Sequence, residues 1–83
     1  MNEYATTDPN RAAFLLCRGC RLVRTTLIED GARVEFVFSN PNGRTDEAVN
    51  GLVNNDPVGI RDFVAAMSSV RSAMYATKTK GGA

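Results

Sequence analysis

The sequence predicts a small α+β domain, in which an antiparallel sheet packs against three helices in the order β-α-β-β-α-α. Two Asp-Pro pairs are typical of helix starts, and one Asp-Gly turn lies between two apolar, alternating segments. With 83 residues, 43% of them hydrophobic, the chain is long enough for one such domain and too short for two. We expect the domain to cover residues 1–76 and residues 77–83 to form a flexible basic tail.

The first two predicted elements are a short strand and a helix. Residues 3–7 alternate weakly between polar and apolar side chains, which indicates an N-terminal strand. Asp8 can accept backbone N–H bonds as a helix N-cap, and Pro9 needs no N–H partner at the first helical position. The helix is predicted to end at Gly19, because glycine adopts the left-handed conformation at the C′ position.

A β-hairpin is predicted for segments 20–29 and 32–39, joined by Asp30-Gly31 in a type I′ turn. This register would place six residues in cross-strand pairs on one apolar face: Leu27 with Val34, Thr25 with Phe36, and Val23 with Phe38. The other face would be mixed, carrying Leu22, Arg24, Thr26, Ile28, Arg33, Glu35 and Val37. Within that face we identify a candidate interaction surface, consisting of Leu22, Ile28, Arg33 and Val37.

Two helices are predicted for the second half of the chain. Thr45-Asp46-Glu47 begins a short helix whose acidic residues favour its N-terminus, and Asn54-Asn55 ends it. Its expected inner face consists of Ala48, Val49, Leu52 and Val53. Asp56-Pro57 begins the last helix, which is expected to end near Ala76. Its apolar stripe follows helical spacing and consists of Ile60, Phe63, Met67, Val70 and Met74, widened by Val64 and Ala73.

Charge and composition exclude several functions. Ten Lys and Arg residues oppose nine Asp and Glu residues, so the chain has no general basic coat for nucleic acid, although a local patch is still compatible with this balance. There is no histidine, which is the commonest general base and metal ligand. Neither a signal-peptide pattern nor a membrane-spanning apolar run is present, so we expect a cytoplasmic protein with no membrane association.

Cys17 and Cys20 form a Cys-x-x-Cys pair, which in other proteins binds zinc or exchanges disulfides. Zinc needs further ligands that a single chain lacks, and a redox pair normally lies at a helix N-terminus, whereas this pair flanks a predicted helix C-terminus. We therefore expect both cysteines to pack as small apolar side chains, and we expect no metal and no cofactor. Zinc shared between two copies of the chain is the alternative.

The arginines are the most unusual charge feature, since no acidic residue lies between positions 9 and 28. The candidate nucleic-acid or phosphate-binding residues are Arg11, Arg18, Arg21 and Arg24, because Arg makes bidentate contacts with phosphate. Arg21 and Arg24 have opposite strand parity, so the four cannot share one flat surface. The simpler interpretation is ordinary surface charge, with Glu35 diagonally across from Arg24.

Catalytic residues are not evident. Most acidic residues are explained as helix caps, turn residues or first-turn residues, and the serine and threonine pairs lack a base. No phosphate-binding loop or nucleophile-elbow motif occurs in the sequence. We therefore predict that the chain is not an enzyme.

Several short motifs together resemble a family of small uncharacterised proteins from bacteriophages and bacteria, classed as a domain of unknown function. They are Thr6-Thr7-Asp8, the apolar run 12–16, Arg18-Gly19-x-Arg21-Leu22-Val23, Phe36-Val37-Phe38, and the end of the last helix at 71–75. The resemblance covers about residues 4–75. It implies a phage or mobile-element origin and assigns no catalytic or binding residue.

These observations predict a small non-catalytic binding protein that acts stoichiometrically as a regulator or inhibitor of a host protein or nucleoprotein complex, for example a defence system. A host protein is expected as partner ahead of bare nucleic acid, and a homodimer is left open. The alternative is a nucleic-acid-binding module that uses the Arg11–Arg24 segment, or a sponge for a small nucleotide.

Overall fold

The computed structural model describes residues 2–28, 31, 33–54 and 57–81. In chain order the elements are β1 (Glu3–Thr6), α1 (Pro9–Cys17), β2 (Leu22–Ile28), β3 (Arg33–Ser39), a 3-10 turn (Pro41–Gly43), α2 (Arg44–Val53) and α3 (Ile60–Gly81). The predicted α+β class and the order β-α-β-β-α-α are therefore confirmed.

The sheet has the strand order β1-β3-β2, and both pairings are antiparallel. The predicted N-terminal strand is present and pairs with β3, placing Tyr4 opposite Phe38 and Thr6 opposite Phe36. Because β3 is the central strand, the apolar side chains on one of its faces can pack into the core along the whole strand.

The hairpin register is as predicted near the turn and differs at its far end. Leu27 lies opposite Val34 and Thr25 opposite Phe36, but a bulge between Leu22 and Arg24 leaves Val23 without a partner on β3. Leu22, instead of Val23, lies opposite Phe38 and packs against the core, and Val23 is 43% exposed. The predictions for both residues are wrong for one reason: an extra residue in a strand reverses the alternation of faces beyond it.

The hairpin turn is described only in part. Gly31 has a φ of +84°, and its N–H donates to the carbonyl oxygen of Ile28 at 3.1 Å. A glycine in this conformation agrees with the predicted turn site. Asp30, and with it the predicted type I′ geometry, lies outside the described residues.

Helices α1 and α3 cover one face of the sheet and enclose the core. The largest fully buried apolar side chains are Phe36, Phe38, Leu15 and Val70. Asp8 caps α1 as predicted, since its Oδ1 accepts the N–H of Asn10 at 3.0 Å. Among the described helices, none combines the length and the apolar character that a bilayer crossing requires.

Helix α3 differs from the prediction at both ends. It begins at Ile60 instead of Pro57 and continues through Gly81 instead of ending near Ala76. Asp56, the predicted cap, lies outside the described residues. The C-terminal extension is attached to the sheet, because the Oγ1 of Thr77 lies 2.5 Å from the Oγ1 of Thr25 and also donates to the carbonyl oxygen of Ala73.

The apolar stripe of α3 is only partly buried. Val70 is buried, and Phe63, Met67 and Met74 pack against the core as predicted, while Ala73 is half-buried. Ile60 and Val64, however, are 80% and 62% exposed. These two lie one turn apart on a neighbouring face, whereas the small residue Ala66 takes part in the buried one.

Helix α2 packs against the core through Ala48, Val49 and Leu52, as predicted. Val53, which was predicted on the same face, is exposed. It is the last helical residue, and Asn54 follows as the C-cap, so Val53 lies at the end of α2.

Candidate anion-binding site

A cavity of about 480 Å³ lies where the end of α1 and the start of β2 meet the end of β3 and the start of α2. Its lining is rich in basic and polar side chains. The lining residues are Arg18, Gly19, Cys20, Arg21, Ser39, Pro41, Arg44, Thr45, Glu47 and Ala48. The cavity therefore brings Arg18 and Arg21, which were predicted from the sequence, together with Arg44, which was not.

The C-terminus of α1 places Arg18 and Arg21 at the cavity. Gly19 has a φ of +83°, its N–H donates to Leu16 at 3.1 Å, and the N–H of Cys20 donates to Leu15 at 3.0 Å. These two bonds form a complete Schellman motif, as the glycine suggested. Because the motif reverses the chain within two residues, arginines on either side of it reach the same cavity.

Further contacts are made by the side chain of Arg18 and by the backbone of Arg21. The guanidinium of Arg18 lies 5.9 Å from the ring centre of Phe14, a cation–π distance. The carbonyl oxygen of Arg21 accepts the N–H of Ser39 at 2.9 Å, which ties the start of β2 to the end of β3.

Arg44 is placed by a buried hydrogen-bond network around Asn40. The Oδ1 of Asn40 accepts the N–H groups of Thr45 and Asp46 at 2.9 and 3.2 Å, and its Nδ2 donates to Asp46 at 3.0 Å. The Oγ1 of Thr45 donates to the carbonyl oxygen of Ser39 at 2.6 Å. Asn40 thereby satisfies N–H groups that a helix start leaves without intrahelical partners. The first turn of α2, including Arg44, is thus anchored to the end of β3.

Arg44 was not predicted to belong with the other arginines, because it lies twenty positions beyond Arg24 in the chain. The available signal was its place immediately before Thr45-Asp46-Glu47, the predicted helix start. That start could be recognised from the sequence, but its proximity to Arg18 and Arg21 depends on the tertiary packing.

The cavity carries an excess of positive charge. Three guanidinium groups and the carboxylate of Glu47 belong to its lining. Within the described part of the chain, the side chains of Arg21 and Arg44 make no hydrogen bond or ion pair. Their N–H donors are therefore available to an anion that enters the cavity.

Arg11 and Arg24, the other two predicted arginines, lie away from the cavity. Arg11 donates from Nη1 to the hydroxyl of Tyr4 at 2.9 Å. Arg24 donates from both Nη atoms to Glu3, each at 2.9 Å. The structure therefore does not bring the four predicted arginines together.

The Glu3–Arg24 ion pair lies on the face of the sheet opposite to α1 and α3. Hydrogen bonding to Arg24, followed by its charge, lowers the pKa of Glu3, and the same contact raises the pKa of Arg24. Since β3 lies between β1 and β2, the pair crosses the central strand near Val37, which lies opposite both Ala5 and Arg24. Val37 is only 4% exposed.

Only part of the predicted interaction surface is exposed. Val37 is buried, and Leu22 faces the core because of the bulge. Ile28 is half-buried, and Arg33 is exposed with Nη2 donating to the Oγ1 of Thr7 at 3.1 Å. The four residues therefore do not form one exposed patch.

Both cysteines are free thiols that pack against the core. Burial, and secondarily the charge of Asp62, raises the pKa of Cys17, which keeps this thiol protonated. Cys20 also lines the cavity. Among the described residues, no group of three or more Cys, Asp or Glu side chains could hold a metal ion.

The fold and the cavity define a small α+β domain with a three-stranded antiparallel sheet and a basic cavity at one end of it. The chain belongs to the family described as Domain of unknown function (DUF5659), whose model matches residues 1–76. The resemblance to a domain of unknown function is thus confirmed. Neither the curated proteins nor the solved structures include a match.

Proposed function

We propose that this chain is a small, non-catalytic binding protein, encoded by a phage or another mobile element, that acts in the host cytoplasm. It regulates or inhibits a host protein or nucleoprotein complex stoichiometrically, for example a defence system. The cavity formed by Arg18, Arg21 and Arg44 receives an acidic group of that partner.

The observation that carries this proposal is the set of unpaired arginines at a concave site. Arg21 and Arg44 have no side-chain partner among the described residues, whereas Arg24 is neutralised by Glu3. Arg is enriched where proteins bind other proteins, because its planar fork pairs with acidic groups in two parallel hydrogen bonds. A concave basic site on a rigid backbone supports specific recognition.

Affinity capture from bacterial host lysate, with quantitative mass spectrometry, tests the proposal. The full chain should recover one host protein or complex in near-stoichiometric amount. The double variant Arg21→Ala/Arg44→Ala should recover at most one-tenth as much of this partner. A tenfold loss of affinity corresponds to about 1.4 kcal/mol of binding free energy.

The matched control is Arg61→Ala/Arg71→Ala, which removes the same charge from exposed positions on α3. It should capture the partner as well as the original chain does. Equal capture by the cavity variant, or the absence of any specifically enriched host protein, would refute the proposal. Circular dichroism of both variants shows whether each is folded.

Direct binding of nucleic acid is the second candidate, since the same guanidinium groups could contact backbone phosphates. Fluorescence anisotropy with labelled duplex DNA, single-stranded DNA and RNA at two salt concentrations tests it. Binding that weakens steeply with salt and is lost in Arg21→Ala/Arg44→Ala would favour this candidate. Flat anisotropy for all three probes would exclude it.

A further inference from the structure

We propose that the cavity binds a phosphomonoester group, the doubly charged terminal phosphate of a ligand. This inference rests on the proposed function in assigning the cavity as the binding site, and it adds the chemical class of the group bound there.

The charge of the lining matches a dianion. Three guanidinium groups and one carboxylate, that of Glu47, leave two positive charges uncompensated. A phosphomonoester carries about −1.5 to −2 at neutral pH. A carboxylate or a backbone phosphodiester carries only one negative charge, so either would leave the cavity with an excess of positive charge.

The arginines reach the cavity from separate backbone segments. Arg18 and Arg21 flank the Schellman turn, and Arg44 begins α2 on the other side. A phosphate with three terminal oxygens can accept hydrogen bonds from several directions at once, whereas a carboxylate is planar and has two oxygens. Guanidinium groups from several directions therefore favour the phosphate.

The site is built on restrained backbone. Gly19 and Cys20 complete the hydrogen bonds of the α1 C-terminus, and the buried side chains of Asn40 and Thr45 anchor the start of α2 to β3. The binding of an anion therefore requires ordering of arginine side chains, but no rearrangement of the segments that carry them.

The volume of the cavity leaves room beyond the phosphate. About 480 Å³ lies within the range of small-ligand sites, roughly 300–1,000 Å³. Cys20, Pro41 and Ala48 contribute apolar surface beside the arginines. The ligand is thus expected to be a phosphate attached to an organic group, either a free small molecule or a phosphorylated side chain of a protein partner.

NMR titration of the ¹⁵N-labelled full chain at constant ionic strength and pH 7.5 tests this inference. The probes are inorganic phosphate, dimethyl phosphate as the singly charged diester, and acetate. We expect saturable shifts of the amides of Gly19, Cys20 and Thr45 with inorganic phosphate, and at least tenfold weaker binding of the other two probes. Equal binding of phosphate and acetate, or no saturable shift with phosphate, would overturn the inference.

Variants locate the binding. Arg21→Ala/Arg44→Ala should weaken phosphate binding at least tenfold, and Arg21→Lys/Arg44→Lys should also weaken it, because lysine keeps the charge but lacks the bidentate fork. The control Arg61→Ala/Arg71→Ala should bind phosphate like the original chain. Undiminished binding by the alanine cavity variant would place the phosphate elsewhere and refute the assignment.

Two further probes distinguish the source of the phosphate. AMP represents a free small molecule, and a short phosphoserine peptide represents a protein partner. The affinity for AMP is compared with that for adenosine, and the affinity for the phosphoserine peptide with that for the unmodified peptide. The probe whose phosphate adds more to the affinity identifies the source. The outcome is separable from that of the proposed function. Partner capture that depends on Arg21 and Arg44 without phosphate binding would refute only this inference, and phosphate binding without any captured partner would refute only the proposed function.

Discussion

The arginines of the chain differ in their side-chain partners. Arg24 forms two hydrogen bonds with Glu3, and Arg11 donates to Tyr4. Arg21 and Arg44 have no side-chain partner within the described part of the chain. The guanidinium groups of Arg11 and Arg24 are thus already bonded within the chain, whereas the donors of Arg21 and Arg44 at the cavity can bind an anion.

The Glu3–Arg24 pair predicts that the stability of the chain depends on pH in the acid range. The pKa of Glu3 lies below its ordinary value of 4.5 in the folded chain. The pair's contribution to stability is therefore complete above pH 4.5 and is lost as the pH falls through the lower, folded-state pKa. Urea denaturation should show the original chain and Glu3→Gln converging in stability at acid pH.

An NMR titration of the Glu3 side-chain carboxyl carbon checks the cause. Its midpoint should lie below 4.5 in the original chain and move up towards that value in Arg24→Ala. Arg71→Ala, which changes an exposed arginine on α3, should leave the midpoint unchanged. Identical midpoints in the original chain and Arg24→Ala would contradict the assigned cause.

At the scale of single elements, the start of α2 depends on a residue outside the helix. Gly43 stands at the N-cap position and has no side chain with which to cap it, whereas Asn40 accepts two N–H groups of the first turn. The helix that carries Arg44 is therefore anchored by a loop residue four positions before it. The residues immediately before Asp46 and Glu47 give no indication of this cap.

We expect Asn40→Ala to lower the free energy of unfolding by about 1–2 kcal/mol, because it removes the acceptor of two backbone N–H groups at a helix start. Urea denaturation measures the change. Asn50→Ala, which removes an exposed asparagine within the same helix, should change stability by less than about 0.5 kcal/mol. Similar losses in both variants would show that Asn40 does not act as the cap.

The two faces of the sheet have different surroundings: one packs against α1 and α3, and the opposite face carries the Glu3–Arg24 pair. Phe36 and Phe38 of the central strand lie beneath α1 and α3, whereas Val37 on the opposite face lies near the Glu3–Arg24 pair. Stability of the domain should therefore depend on side chains between the sheet and the helices. Apolar residues of α3 that face away from the sheet should matter little.

Two valines of α3 test this distinction with the same substitution. Val70 is 1% exposed and Val64 is 62% exposed. Val70→Ala should lower the free energy of unfolding by about 2 kcal/mol, since it removes two buried methyl groups and leaves a cavity. Val64→Ala should change it by less than about 0.5 kcal/mol in the same urea experiment. Equal losses would mean that Val64 is buried in solution, for example against a second copy of the chain.

Local signals determined which elements form and where several of them end. Asp8-Pro9 and Gly19 delimit α1, and the hairpin pairs Leu27–Val34 and Thr25–Phe36 follow from alternation and turn position. These signals work because capping, left-handed glycine and strand alternation act between residues close in sequence. Helix α3, by contrast, continues beyond the predicted end near Ala76 to Gly81, and its Thr77 contacts Thr25, a residue far away in the chain.

For the candidate site, the sequence alone shows that arginines without neighbouring acidic residues occur around the end of α1. Which of these arginines lie close together depends on the tertiary packing. It paired Arg24 with Glu3, directed Arg11 to Tyr4, and brought Arg44 from α2 beside Arg18 and Arg21. The period of a helix or strand sets the face on which a side chain lies. Which of these faces lie next to each other depends on how the helices and strands pack around a shared core.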